Sequence, residues 1–171
     1  MAWGPVDCVI ANAGVSLSKD GWSGEAHQQV TTVNVQGVLN TILPLIDRMR
    51  VRRQGHVVLM SSLAAYTPTP QAPAYSASKA WVRQYGLALG PLLAKDGITV
   101  SVVCPGFVDT PLVAGNRFPM PGLITVDQAV AYIIKGLHAK RPLIGFPRRM
   151  YLPTALMSCL PCAWVARMIY R

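Results

Sequence analysis

Residues Ser62 to Lys79, SLAAYTPTPQAPAYSASK, set a hydroxyl, a phenol and an ammonium at fixed intervals along the chain. The Ala-rich, largely apolar run from Ala74 to Leu93 predicts a helix, and on a helix positions i and i+4 share a face. Tyr75 and Lys79 are therefore expected side by side, and Tyr75 is the one tyrosine of six with a lysine four residues on. A free phenol titrates near ~10 and is a poor base at neutral pH. An adjacent ammonium favours phenolate and is expected to lower that value, so the pair can give or take a proton. Tyr-x-x-x-Lys also describes an ordinary surface pair on a helix, so the segments around it must decide.

Working outward, Ser62 lies thirteen residues before Tyr75, at the end of the apolar run HVVLM, His56 to Met60, which reads as a buried strand. Open α/β sheets place their sites at the carboxyl ends of strands. Asn12-Ala13-Gly14 directly follows another apolar run, VDCVIA, and Pro105-Gly106 directly follows a third, ITVSVVC. On these residues the chain resembles the short-chain dehydrogenase/reductase family, whose pattern is an Asn-Ala-Gly turn, a helix asparagine, a serine, Tyr-x-x-x-Lys and a Pro-Gly turn. All five stand here in that order.

The resemblance implies an α/β fold with a Rossmann-like doubly wound parallel sheet, NADP or NAD as cofactor, and interconversion of a small carbonyl compound and an alcohol by hydride transfer. It implies Asn34, Ser62, Tyr75 and Lys79 as catalytic residues; the thirteen-residue spacing selects Ser62 over Ser61. It implies cofactor contacts from Asn12, Ala13, Gly14, Tyr75, Lys79, Pro105, Gly106, Val108 and Thr110, with Lys79 on the nicotinamide ribose hydroxyls and Thr110 on the carboxamide or a phosphate. By itself, an asparagine within the apolar stretch Val33-Asn34-Val35 reads as a solvent-facing or capping residue. The resemblance gives its backbone a water that links the lysine to solvent. It also implies a homodimer or homotetramer built through the helices that carry Asn34 and Tyr75.

Val6 to Ala11 follows the first residues so closely that no βα unit fits before it, and the sequence contains no G-x-x-x-G-x-G. In the resembled family this strand is the fourth of seven. The chain is accordingly expected to be N-terminally truncated, holding the fourth to seventh strands. That expectation creates a rival reading: a central strand turned into an apolar sheet edge pairs with other chains, making the chain an inactive module that oligomerises or binds a membrane surface.

The remaining elements follow from local signals. A long helix is expected from Glu25 to Arg50, kinked near Pro44. Pro91 bends or ends the helix that bears Tyr75, Asp96-Gly97 makes a turn, and Ile98 to Cys104 is the next strand. Pro111 to Leu123, rich in Pro and Gly, reads as an irregular lid over the substrate. Thr125 with Gln128 three residues on predicts a capping box for a helix from Val126 to about Lys140, and RPLIGFP supplies a last strand. Alternating strands and helices imply parallel strands with right-handed crossovers.

The chain of 171 residues is one domain's worth, hydrophobic at 51% and charged at only 13%, which argues against disorder. Residues 1–150 are read as the partial catalytic domain and 151–171 as an apolar, basic tail. The net charge of +9 suits an anionic partner. Yet the basic clusters Arg48 to Arg53 and Lys135 to Arg149 accompany no nucleic-acid motif, and no nucleic-acid partner is expected. The tail, with Trp164, Arg167 and Arg171, is shorter than the ~20 apolar residues of a spanning helix and is broken by Pro153 and Pro161. It reads as a helix packed on the body or on another subunit, or as a peripheral membrane contact. Cys8 and Cys104 fall in strands expected to be buried, and Cys159-Leu-Pro-Cys162 lacks a second ligand pair, so no disulfide framework and no metal site are expected. Reduced thiols and the lack of a signal peptide point to the cytoplasm.

Overall fold

Four short apolar segments form one parallel sheet in which each strand pairs with its sequence neighbour. The computed structural model describes residues 4–16, 23–114, 119–161, 164, 165 and 167. Strands β1 (Cys8–Ala11), β2 (Gly55–Met60), β3 (Ile98–Pro105) and β4 (Leu143–Phe146) lie in the order β1-β2-β3-β4, with Val9 opposite Val57, Val58 opposite Ser101 and Val103 opposite Ile144. Successive strand residues point to opposite faces. On one face Val9, Val57, Leu59 and Val100 pack against α2 (Gly37–Arg52) and α3 (Pro73–Ala94) through Ile42, Met49, Val82 and Leu89. On the other face Val58, Val103, Ile144 and Phe146 pack against α4 (Val126–His138) through Ala129 and Ile133. Helices on both faces make the sheet doubly wound, which is why β3 is buried along nearly its whole length.

The expected helix from Glu25 to Arg50 is divided: α1 (Gly24–Thr31) passes through a π-helical segment, Thr32–Gln36, into α2. The interruption falls at Asn34, where the Gly37 N–H reaches back to the Thr32 carbonyl. Pro44 lies inside α2. In the same way Pro91 lies inside α3, which continues to Ala94. The Thr125–Gln128 capping box forms as expected, each side chain reaching the other's backbone. Helix α5 (Arg148–Met157) follows β4 directly. Its Tyr151 and Ala155 pack with Leu63, Tyr66, Val102 and Cys104.

The far edge of β1 has no partner strand among the described residues. Val9 and Ala11 are buried, while Cys8 is exposed and Ile10 is 50% exposed. This corrects the expectation that Cys8 is buried: α2 covers one face of β1, and nothing described covers the other. Cys104, in the sheet interior, is buried as expected. Cys162, Arg171 and lid residues 115–118 lie outside the described residues, as does most of the loop 16–24. Among the described residues no helix is long and apolar enough to cross a membrane.

Helix α3 approaches the sheet most closely at Gly86, where a Cβ would run into the side chains of Val102 and Leu59. Replacing glycine by alanine inside a helix gains about 1 kcal/mol of propensity, whereas overpacking a core costs about 1 to 3 kcal/mol. Both obstructing groups belong to strands buried on both sides, so the cost should win. Gly86→Ala is expected to lower stability, by chemical denaturation, whereas Gly24→Ala, with open space around it, should not.

Candidate active site

Helix α3 brings Tyr75 and Lys79 to the carboxyl end of β2. Lys79 is only 5% exposed, and its Nζ donates to the Met60 carbonyl at 2.9 Å. The next residue returns the tie, since Ser61 Oγ donates to the Lys79 carbonyl at 2.7 Å. Two hydrogen bonds thus clamp the strand end to the helix turn that bears the lysine. The Tyr75 ring lies one turn earlier, its centroid 5.7 Å from Nζ. Ser62 sits just past the strand, in extended backbone, and its Oγ accepts from the Ala64 N–H at 3.1 Å.

Asn34 is fully buried behind this group. Its Oδ1 accepts from the Val15 N–H at 2.8 Å; its Nδ2 donates to the Val15 carbonyl and to Ser78 Oγ, both at 3.0 Å. Ser78 Oγ in turn donates to the Tyr75 carbonyl at 2.7 Å. The asparagine therefore ties the loop leaving β1 to the helix of Tyr75 and Lys79. Gly14 completes the packing: a Cβ there would stand 3.1 Å from Lys79 Nζ and 3.4 Å from Asn34 Oδ1.

Tyr75, Lys79 and Ser62 face a cavity of about 640 Å³. Asn12 and Gly14 border it on the β1 side, and Pro105, Gly106, Val108 and Thr110 on the β3 side. Ala13, between Asn12 and Gly14, is exposed and is not part of the wall. The Pro-Gly turn is held because the Gly106 N–H donates to the Phe146 carbonyl at 2.7 Å, while a Val108–Ile124 bridge joins the two ends of the segment expected as a lid. Sequence reasoning weighed Ser61 only as a rival to Ser62, and it did not single out Ser78 or the carbonyls of Met60 and Val15. Ser78 was accessible in principle, three residues beyond Tyr75 on the inner face of the helix. The carbonyl partners carry no side-chain signal.

Burial pushes Lys79 down from its usual range to about 8, because a desolvated ammonium is penalised. Burial also raises the Tyr75 phenol above its ordinary value, with the Ser62 hydroxyl pulling in the opposite direction. This corrects the expected lowering of Tyr75 by Lys79: the ammonium is directed at the Met60 carbonyl, and burial of the phenol dominates its shift. At neutral pH Tyr75 is a protonated donor and Lys79 remains mostly charged.

A family model described as short chain dehydrogenase matches residues 1–119. An uncharacterized oxidoreductase of Myxococcus xanthus is 35% identical over 162 residues, covering 92% of this chain and 63% of that protein. The 2,3-dihydro-2,3-dihydroxybenzoate dehydrogenase of Escherichia coli is 36% identical over 112 residues, covering 61% of this chain and 43% of that enzyme. The chain thus spans between about two fifths and two thirds of the length of these relatives. A short chain dehydrogenase of Burkholderia cenocepacia, solved in complex with NADP, superposes with a TM-score of 0.84 at 21% identity, over 96% of this chain and 71% of that one. At that identity the likeness concerns the fold.

The depressed value of Lys79 has a thermodynamic sign. Between pH about 8 and the ordinary lysine value of 10.5 the unfolded chain holds this proton and the folded chain does not, so stability rises with pH across that window. A Lys79→Met variant lacks this dependence. Urea unfolding at pH 7 and pH 10 should show the wild type gaining on the variant as pH rises; a constant difference would mean that the buried ammonium is not penalised.

Proposed function

Because this chain belongs to the short-chain dehydrogenase family, we propose that it is an oxidoreductase that interconverts a carbonyl and an alcohol with NADP or NAD. The observation that carries this reading is the convergence of Ser62, Tyr75 and Lys79 on one cavity, with the lysine clamped from both sides. The residues fit the nicotinamide ribose end of such a cofactor. Lys79 uses one of three ammonium donors on Met60, leaving two for ribose hydroxyls, and the space that a Cβ on Gly14 would fill stays open beside Nζ. Asn12, Gly14, Pro105, Gly106 and Val108 would border the cofactor, with Thr110 reaching its carboxamide.

When bound, the nicotinamide supplies or accepts the hydride. Ser62 orients the carbonyl oxygen by donating a hydrogen bond to it. Tyr75 gives its phenolic proton to that same oxygen, a role suited to a phenol that burial keeps protonated. The phenolate left behind is stabilised by the Lys79 ammonium, which is still mostly charged below pH 8. Asn34 holds the β1 loop against the helix, and its main chain lies in the π segment, where regular α-helical pairing is interrupted; this supports a role in holding a relay water to Lys79. Oxidation runs the same path in reverse. Exposed Leu43 on α2 and Leu92 on α3 support association through these helices as a homodimer or homotetramer. The edge of β1, which has no partner strand among the described residues, supports the rival reading of a pairing module.

Titration with NADPH and NADH, followed by cofactor fluorescence, should show saturable binding. General acid–base catalysis contributes about 10²- to 10⁴-fold in rate. Tyr75→Phe is expected to retain cofactor binding and circular dichroism while losing about 10²-fold or more of turnover with a carbonyl substrate. Undiminished turnover would remove Tyr75 from the role of proton donor, and a folded chain that binds neither cofactor would favour the pairing module.

A second reading concerns the tail. Leu152, Leu156 and Trp164 are exposed by 61%, 70% and 62%. From Gln128 to Arg171 the chain carries seven Lys and Arg residues (Lys135, Lys140, Arg141, Arg148, Arg149, Arg167, Arg171) and no Asp or Glu. An apolar stripe flanked by cations suits peripheral contact with an anionic membrane. Co-sedimentation with phosphatidylserine vesicles should exceed that with phosphatidylcholine vesicles and fall in the double variant Leu152→Asp/Leu156→Asp; equal sedimentation of the variant would sink the idea.

A further inference from the structure

Resting on the reading of the site as a carbonyl reductase, we propose that its substrate is an uncharged carbonyl compound with an extended apolar arm, bound carbonyl-inward with the arm along α4. Val126, Val130 and Ile133 line the cavity from one helix face. From Val126 to Ile133 they run about 10 Å along the helix axis at ~1.5 Å per residue. Leu112, at the start of the lid, and Met150, on α5, face the same space. Val126, Val130 and Leu112 are 48%, 44% and 46% exposed. These apolar groups therefore border a cavity while retaining much of their water-accessible surface, which an apolar ligand would cover with a gain in free energy.

Two hydroxyls near this apolar wall are already engaged, while Thr67, Thr69 and Gln71 of the loop before α3 add polar groups elsewhere in the lining. Thr154 Oγ1 donates to the Met150 carbonyl at 2.8 Å and Thr110 Oγ1 to the Val108 carbonyl at 3.2 Å. Neither hydroxyl has a proton left for a ligand. Among the described residues Lys79 is the one charged side chain in the wall, and it lies at the inner end beside Tyr75 and Ser62. Charge is thus confined to the inner end of the cavity, while the α4 wall is hydrocarbon. A substrate that carried a carboxylate or phosphate on its outer arm would desolvate that charge against Val126 and Val130 without a partner.

Calorimetric titration of the chain with 2-alkanones from 2-butanone to 2-decanone, in the presence of NADP so that no reduction occurs, reads this directly. Each added methylene is expected to tighten binding about fourfold until the wall is covered. 9-Oxodecanoate should bind at least about tenfold more weakly than 2-decanone, since its carboxylate would be desolvated unpaired. Val130→Asp, at a half-exposed helix position, should flatten the ladder with unchanged circular dichroism. Tyr75→Phe should leave the ladder intact. A flat ladder in the wild type, equal binding of the oxo acid, or an unaltered ladder in Val130→Asp overturns the proposal. A ladder accompanied by full turnover in Tyr75→Phe would retain the apolar arm and remove the proton-donor reading instead, so the two failures are separable.

Discussion

The ammonium of Lys79 must be placed where water cannot reach it freely, and the site is organised around that constraint. An isolated cation in such surroundings is strongly disfavoured. Here it is held by the Met60 carbonyl at the end of β2, while the same helix turn is gripped through its own carbonyl by Ser61. The burial that makes the ammonium costly also keeps the adjacent phenol protonated. One desolvated pocket therefore accounts for the altered acidity of both groups, in opposite directions because one is charged when protonated and the other when deprotonated.

This local arrangement depends on how closely α3 lies on the sheet. Gly86 permits that approach beside Val102 and Leu59, seven residues along the helix from Lys79. At the other end Asn34 joins the β1 exit loop to the helix through Val15 and Ser78. A side chain with both donors and an acceptor can satisfy two backbone groups and a hydroxyl at once; an aliphatic residue of similar size would leave them unpaired. The π segment brings the asparagine to this position within an otherwise regular helical run.

The cavity divides into two chemistries because different elements build its ends. Strand ends and the first turns of α3 supply hydroxyl, phenol and ammonium; α4, with Leu112 and Met150, supplies hydrocarbon. The amphipathic pattern of α4 serves both the sheet and the cavity, with Ala129 turned to the core and Val126 and Val130 to the opening. The same economy is missing at β1, whose second face and second edge have no cover among the described residues, leaving Ile10 half exposed.

Much of this was legible along the chain. Apolar runs ending at Ala11, Met60 and Cys104 marked strands, the helical spacing of Tyr75 and Lys79 marked a shared face, and Thr125 with Gln128 marked a helix start, because each signal acts within a few residues. Three things were decided only in three dimensions. The break at Asn34 came as a π segment, the exposure of Cys8 followed from a sheet face that no described residue covers, and the pKa of Tyr75 moved upward. Each depends on partners distant in sequence: Val15 and Ser78 for the asparagine, the coverage of β1 for the cysteine, and the walls that exclude water for the tyrosine. The sequence alone determined which chemical groups occur and at what local spacing. Tertiary structure decided their solvation and hydrogen-bond partners, because desolvation is a property of the assembled surroundings rather than of any stretch of chain.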